Sequence, residues 1–128
     1  MNSEHVEAVL LMRAVTGAEP AWPELALFFA VPNGGYRSKR TAGAMKAEGV
    51  RRGVPDYLFP VPRGGFNGLA IELKTEIGRP NPEQRQFIAS LRAHGWRAEV
   101  CKGWQQAWAV LRDYLVADGQ NEPEELAA

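Results

Sequence analysis

One cysteine, Cys101, stands in 128 residues. A lone thiol excludes an intramolecular disulfide, a cysteine-built zinc site and an iron–sulfur cluster from this chain by itself, and fits a reducing compartment. Long apolar runs are missing as well. Nothing approaches the roughly 20 residues that span a bilayer, and Met1-Asn2-Ser3-Glu4-His5 is polar with early acid, unlike a secretory signal. A soluble, intracellular protein with no membrane role is the expectation. Net charge is also absent, with Lys+Arg 15 against Asp+Glu 15, which excludes a histone-like binder held by charge alone. No GxxxxGK[ST] string occurs, so no nucleotide cofactor is expected. No internal repeat occurs either.

The neutral total conceals an asymmetry. Asp113, Asp118, Glu122, Glu124 and Glu125 crowd the end of the chain with no base among them; those five aside, bases outnumber acids 15 to 10. At 14.1 kDa with 45% hydrophobic residues, one compact domain is expected. We place it at residues 1–116, followed by an acidic, disordered tail at 117–128 that has almost nothing to bury.

Along the domain, Val6, Val9, Leu10 and Ala14 recur at helical spacing, with Ser3 as N-cap and Gly17 as stop, which predicts a helix over Ser3–Val15. The apolar run Leu25–Val31 ends at Pro32-Asn33-Gly34-Gly35 and predicts a buried strand. A basic, partly helical segment follows from Tyr36 to Arg52. The runs Pro55–Val61 and Gly68–Lys74, joined by a Gly-rich turn, predict an antiparallel pair. Asn81-Pro82-Glu83-Gln84 spells a helix start, with Phe87, Ile88 and Leu91 as the buried stripe and Gly95 as the end. Arg97–Cys101 alternates as a strand, and Trp104, Ala107, Trp108, Leu111 and Leu115 mark a last helix. The order α-β-(α)-β-β-α-β-α describes an α/β (mixed α+β) fold, a mixed central sheet flanked by helices.

Residues two apart on a strand share a face, so Glu72 and Lys74 point one way while Ile71 and Leu73 point into the core. If the preceding strand pairs across the turn, Asp56 comes near Glu72. Two carboxylates and a lysine suit metal-assisted phosphodiester hydrolysis, because hard oxygen ligands hold Mg²⁺. Lys74 would either stabilise the attacking hydroxide as a cation or accept the proton of the attacking water. The competing reading of Glu-x-Lys is a solvent-facing ion pair on a half-exposed strand. Arg37, Lys39, Arg40, Lys46, Arg51 and Arg52 would position phosphates beside such a site, or form a plain solvated face. Cys101 is expected to be buried and inert, and Trp104 and Trp108 to pack in the core or at a dimer interface.

From Pro32-Asn33-Gly34-Gly35, through Gly53-Val54-Pro55-Asp56, to Ile71-Glu72-Leu73-Lys74 and Pro82-Glu83-Gln84, the chain resembles the VRR-NUC (virus-type replication-repair nuclease) family in the PD-(D/E)xK, restriction-endonuclease-like superfamily. The resemblance runs from about Glu4 to Leu115 and is closest to the stand-alone form of phages and prophages. It implies Asp56 and Glu72 as ligands of Mg²⁺ or Mn²⁺, with the Leu73 carbonyl as a third, and Lys74 as the catalytic lysine. Gln84 matches the family's glutamine on the following helix, or merely completes the cap. An acid of the first helix, Glu4 or Glu7, joins the site, although Ala8 stands where many relatives carry glutamine. Asn33 and Gly34 fall beside the site as a loop that approaches DNA. The implied activity is structure-specific cleavage of DNA, with four-way (Holliday) junctions or other branched forms favoured, by a homodimer in the cytoplasm of a bacterial host. The rival expectations are a DNA-binding accessory that does not cleave and a scaffold without nucleic acid.

Overall fold

The computed structural model describes residues 2–32 and 39–118, with residues 39–42 described by their backbone alone. Helix α1 (Glu4–Ala18) leads into a 3₁₀ helix (Pro23–Leu27) and strand β1 (Phe29–Ala30). Then come α2 (Lys39–Ala47), β2 (Tyr57–Phe59), β3 (Leu69–Lys74), α3 (Pro82–Ala93), β4 (Arg97–Lys102) and α4 (Trp104–Leu115). The sheet order is β1-β2-β3-β4. The first two pairings are antiparallel, as the Gly-rich turn between β2 and β3 requires, and β3 with β4 is parallel, bridged by α3. The mixed sheet flanked by helices is the expected class.

Helices cover both faces of the sheet. Leu11, Val15, Leu69, Ile71, Leu73, Ala107, Leu111 and Leu115 make the main core with α1 and α4. Ala70 and Ala98 meet Ile88 of α3 on the other side. Tyr114, fully buried, donates its hydroxyl to the Val61 carbonyl at 2.5 Å. Cys101 is buried as expected, and burial pushes its thiol up to about 12, leaving it protonated and inert at neutral pH.

Two expectations about the N-terminal third need correction. The run Leu25–Val31 is not a buried strand, because only Phe29 and Ala30 pair with β2 and both are exposed. Pro23, at the start of the 3₁₀ helix, has a fixed φ and no N–H to give, and a three-residue turn places Leu25 and Phe28 on one face. Those two are buried while Leu27 and Phe29 are exposed.

Helix α1 has its predicted Ser3 cap, which accepts from Val6 N, but it runs past Gly17 and its buried face is Glu7, Leu11, Val15 and Ala18. Val6 and Val9, expected inside, are exposed. Apolar residues occur on every side of this helix, so periodicity alone does not fix its rotation; packing on α4 does.

Gly53 carries a tertiary constraint. Its φ is +82°, and a Cβ there would lie 2.5 Å from the Glu83 carbonyl oxygen in the first turn of α3. Only glycine lets the chain before Pro55 pass this close to the helix start. Gly53→Ala is expected to cost about 2–4 kcal/mol, from left-handed backbone strain and backbone overlap together. Urea unfolding would measure this, with no change in m-value.

Candidate active site

Extending the β2–β3 register by one step, from Tyr57 opposite Ile71, sets Asp56 opposite Glu72. Here side chains take over the ladder. Asp56 N donates to Glu72 Oε1 at 3.2 Å, and Leu73 N donates to Asp56 Oδ2 at 2.8 Å. The Asp56 carbonyl accepts from Val31 N at 2.7 Å, tying in the chain just after β1. Pro55, buried immediately before, has no N–H to extend the pairing. Each carboxylate therefore holds the other's strand, and the approach of Asp56 to Glu72 is fixed by backbone.

Glu72 is only 1% exposed, which removes the reading of Glu72 and Lys74 as a solvent-facing pair. The strand alternates as expected, but α3 covers the second face and the charge is enclosed. Lys74 Nζ lies 3.1 Å from Glu72 Oε2 and 4.0 Å from Glu4 Oε1. Even so, Glu72 Oε2 is buried without a hydrogen bond of good geometry. Burial first, and then the neighbouring Asp56, raise the Glu72 carboxyl to about 7 against the pull of Lys74.

The two acids of α1 separate. Glu4, at the exposed end, faces Lys74. Glu7 turns to α4: its Oε1 accepts from Trp104 N at 3.3 Å, and its Oε2 accepts from the Asn2 amide at 3.3 Å. Helix α4 begins at Gly103, φ +86°, with no side chain of its own to cap it. Glu7 supplies the missing acceptor from 97 residues away. A helix opening on Gly-Trp with no Ser, Thr, Asp or Asn was the sequence signal for a cap from elsewhere.

Gln84 completes the capping box: its Oε1 accepts from Asn81 N, and Asn81 Oδ1 accepts from Gln84 N, both at 2.8 Å. Its backbone N is among the atoms that a Cβ on Gly53 would meet, so the cap abuts the segment that leads to Asp56. Lys46, Arg51 and Arg52 are exposed. Lys39 and Arg40 belong to α2 by backbone, whereas Asn33, Gly34 and Arg37 lie outside the described residues, as do residues 119–128 of the expected tail. Asp118 accepts from Gly64 N at 2.6 Å.

No group of three or more His, Cys, Asp or Glu side chains that could hold a metal occurs among the described residues. Two carboxylates are nonetheless a fitting donor set for Mg²⁺, which is commonly bound through one or two carboxylates with waters and phosphate oxygens completing the shell. The buried Glu72 Oε2, ion-paired with Lys74 but without a hydrogen bond of good geometry, is the atom that such an ion would satisfy.

An α1-first mixed sheet with acids clasping two central strands defines a restriction-endonuclease-like fold. The VRR-NUC domain family matches residues 21–105, about two thirds of the sequence, and the chain belongs to that family of nuclease type. A solved structure of a VRR_NUC domain protein is similar over 82% of this chain and 88% of its own, with 24% identity and a TM-score of 0.64, a likeness of fold. Comparison with curated proteins returned no match. The matched segment contains Asp56, Glu72, Lys74 and Gln84; Glu4 and Glu7 precede it. No described helix is long and apolar enough to cross a membrane.

Proposed function

We propose that the protein is a Mg²⁺- or Mn²⁺-dependent endonuclease that hydrolyses phosphodiester bonds in branched DNA. The observation that carries this reading is the buried Glu72, held against Asp56 by backbone and ion-paired with Lys74 through an oxygen that makes no hydrogen bond of good geometry. Asp56 and Glu72 would hold the ion together with the Leu73 carbonyl, and Glu4, 4.0 Å from Lys74 Nζ, would add a second carboxylate to the lysine's surroundings. A divalent ion there supplies Lewis acidity at the phosphate and acidifies a water. Lys74, 14% exposed and anchored between two carboxylates, presents its ammonium where the attacking oxygen develops charge or gives up its proton.

Selectivity in this reading rests on DNA shape, with Lys46, Arg51, Arg52 and their basic neighbours contacting phosphates. A homodimer would present two such sites to two strands of a junction. The deciding experiment incubates labelled four-way junction, flap, linear duplex and single-stranded DNA with the protein in Mg²⁺, Mn²⁺ or EDTA. Nicking of the junction in either metal, absent in EDTA and weaker on linear duplex, is expected. Salt-sensitive junction binding without cleavage would favour an accessory DNA binder, and no affinity at all a scaffold.

A further inference from the structure

Three residues past Lys74, Ile77 is 78% exposed, the most exposed of the large apolar side chains described. Single exposed apolar residues are ordinary on protein surfaces. This one differs in how its backbone is held. Gly78 N donates to the Thr75 carbonyl at 3.1 Å, closing a tight turn with Ile77 at its third position. Lys102, neighbour of Lys74 across the parallel ladder, donates its ammonium to the carbonyls on both sides of Ile77, those of Glu76 and Gly78. Arg85 of α3 donates to the Pro80 carbonyl at 2.7 Å and fastens the far end. The backbone of the turn is pinned from two elements while the isoleucine side chain projects into solvent.

The turn also borders the catalytic lysine. A Cβ on Gly78 would lie 3.5 Å from Lys74 Cβ, so the residue after Ile77 rests on the stem of that side chain. Ile77 is therefore one residue, about 3.8 Å along the chain, from the point where the turn meets the stem of Lys74. Arg79, exposed, adds positive charge beside it; Glu76 is the turn's one carboxylate.

We infer that Ile77 is an apolar wedge that inserts into an unstacked base step of branched DNA next to the scissile phosphate, with the Lys102 and Arg85 hydrogen bonds keeping it rigid enough to do so. The inference rests on the nuclease reading above and adds the feature by which the site selects branched over linear DNA. A stacked duplex resists such insertion, because unstacking has an energetic cost, whereas a branch point has already lost part of its stacking. The charge around the turn holds the backbone while the isoleucine fills the gap.

The test uses four-way junctions with 2-aminopurine beside the cleaved phosphate, bound in Mg²⁺ by protein carrying Lys74→Ala so that the DNA stays intact. Fluorescence is expected to rise on binding, to stay flat when Ile77→Ser is added, and to recover with Ile77→Leu. In the enzyme with Lys74 present, Ile77→Ser is expected to lower the ratio of junction to linear-duplex cleavage by about tenfold, the scale of burying one isoleucine side chain. An equal fluorescence rise with serine overturns the wedge and leaves the nuclease reading standing. A shift from dimer to monomer in sedimentation with Ile77→Ser also overturns it, making the tip a subunit contact. If the parent protein cleaves no substrate in either metal, the nuclease reading itself has failed and the wedge with it.

Discussion

Replacing Lys74 with alanine is expected to slow junction cleavage by about 10²–10⁴-fold, the range of a lost proton-transfer or charge-stabilising group. The expected change in DNA affinity is small, because one lysine among several basic residues accounts for about one unit of salt slope. Loss of the ammonium also removes the influence that lowers the Glu72 carboxyl. The residual activity should therefore rise with pH at a higher midpoint than in the parent, since the deprotonated carboxylate is the form that binds a cation. Lys74→Arg separates the two roles of this residue. An arginine keeps the charge and cannot act as a base, so substantial rescue identifies charge stabilisation, and activity as low as that of alanine identifies proton acceptance. Single-turnover rates across pH, alongside equilibrium binding, measure all of these.

What could be read from the sequence follows how local each signal is. The capping box at Asn81 and Gln84 is complete within four residues and appears in the structure as spelled. The antiparallel β2–β3 pair needs only its turn, and its register then carries Asp56 to Glu72. The rotation of α1 was not legible, because Val6, Val9, Leu10, Leu11, Met12 and Val15 offer apolar residues to several faces, and the choice is made by α4 nearly a hundred residues on. The same distance hid the division between Glu4 and Glu7: both acids sit in the first turn, and only the uncapped start of α4 directs Glu7 away from Lys74. At Leu25 continuous apolarity does not distinguish a strand from a short 3₁₀ turn, and Pro23 tips the run to the latter. Burial of Glu72 was likewise invisible, since it depends on α3 closing over a face that alternation alone would leave to solvent.

Glu72→Gln is expected to make the metal-free protein more stable at pH 8 while reducing cleavage by about 10²-fold or more. The folded-state value of Glu72, about 7, lies above the ordinary carboxylate value of 4.5. Between those two values the folded protein binds more protons than the unfolded chain, so the contribution of this group to stability is present at low pH and is lost as pH rises through about 7. In EDTA the parent should thus lose stability from about pH 5 to pH 8 relative to the glutamine variant. The difference at pH 8 should be about 1–3 kcal/mol, the scale of relieving an imperfectly satisfied buried group. The glutamine carbonyl can still accept from Asp56 N, which preserves the strand clasp. Adding Mg²⁺ should raise the melting temperature of the parent, and more so above pH 7, where the carboxylate is free of its proton and binding stabilises the native state by mass action. The variant should show little or none of that shift. Thermal melts at pH 5.5, 7 and 8, with and without Mg²⁺, read the whole pattern. A parent whose metal-free stability is flat across this range would mean that Lys74 already neutralises Glu72, and that the buried carboxylate is not the strained ligand on which the proposed activity depends.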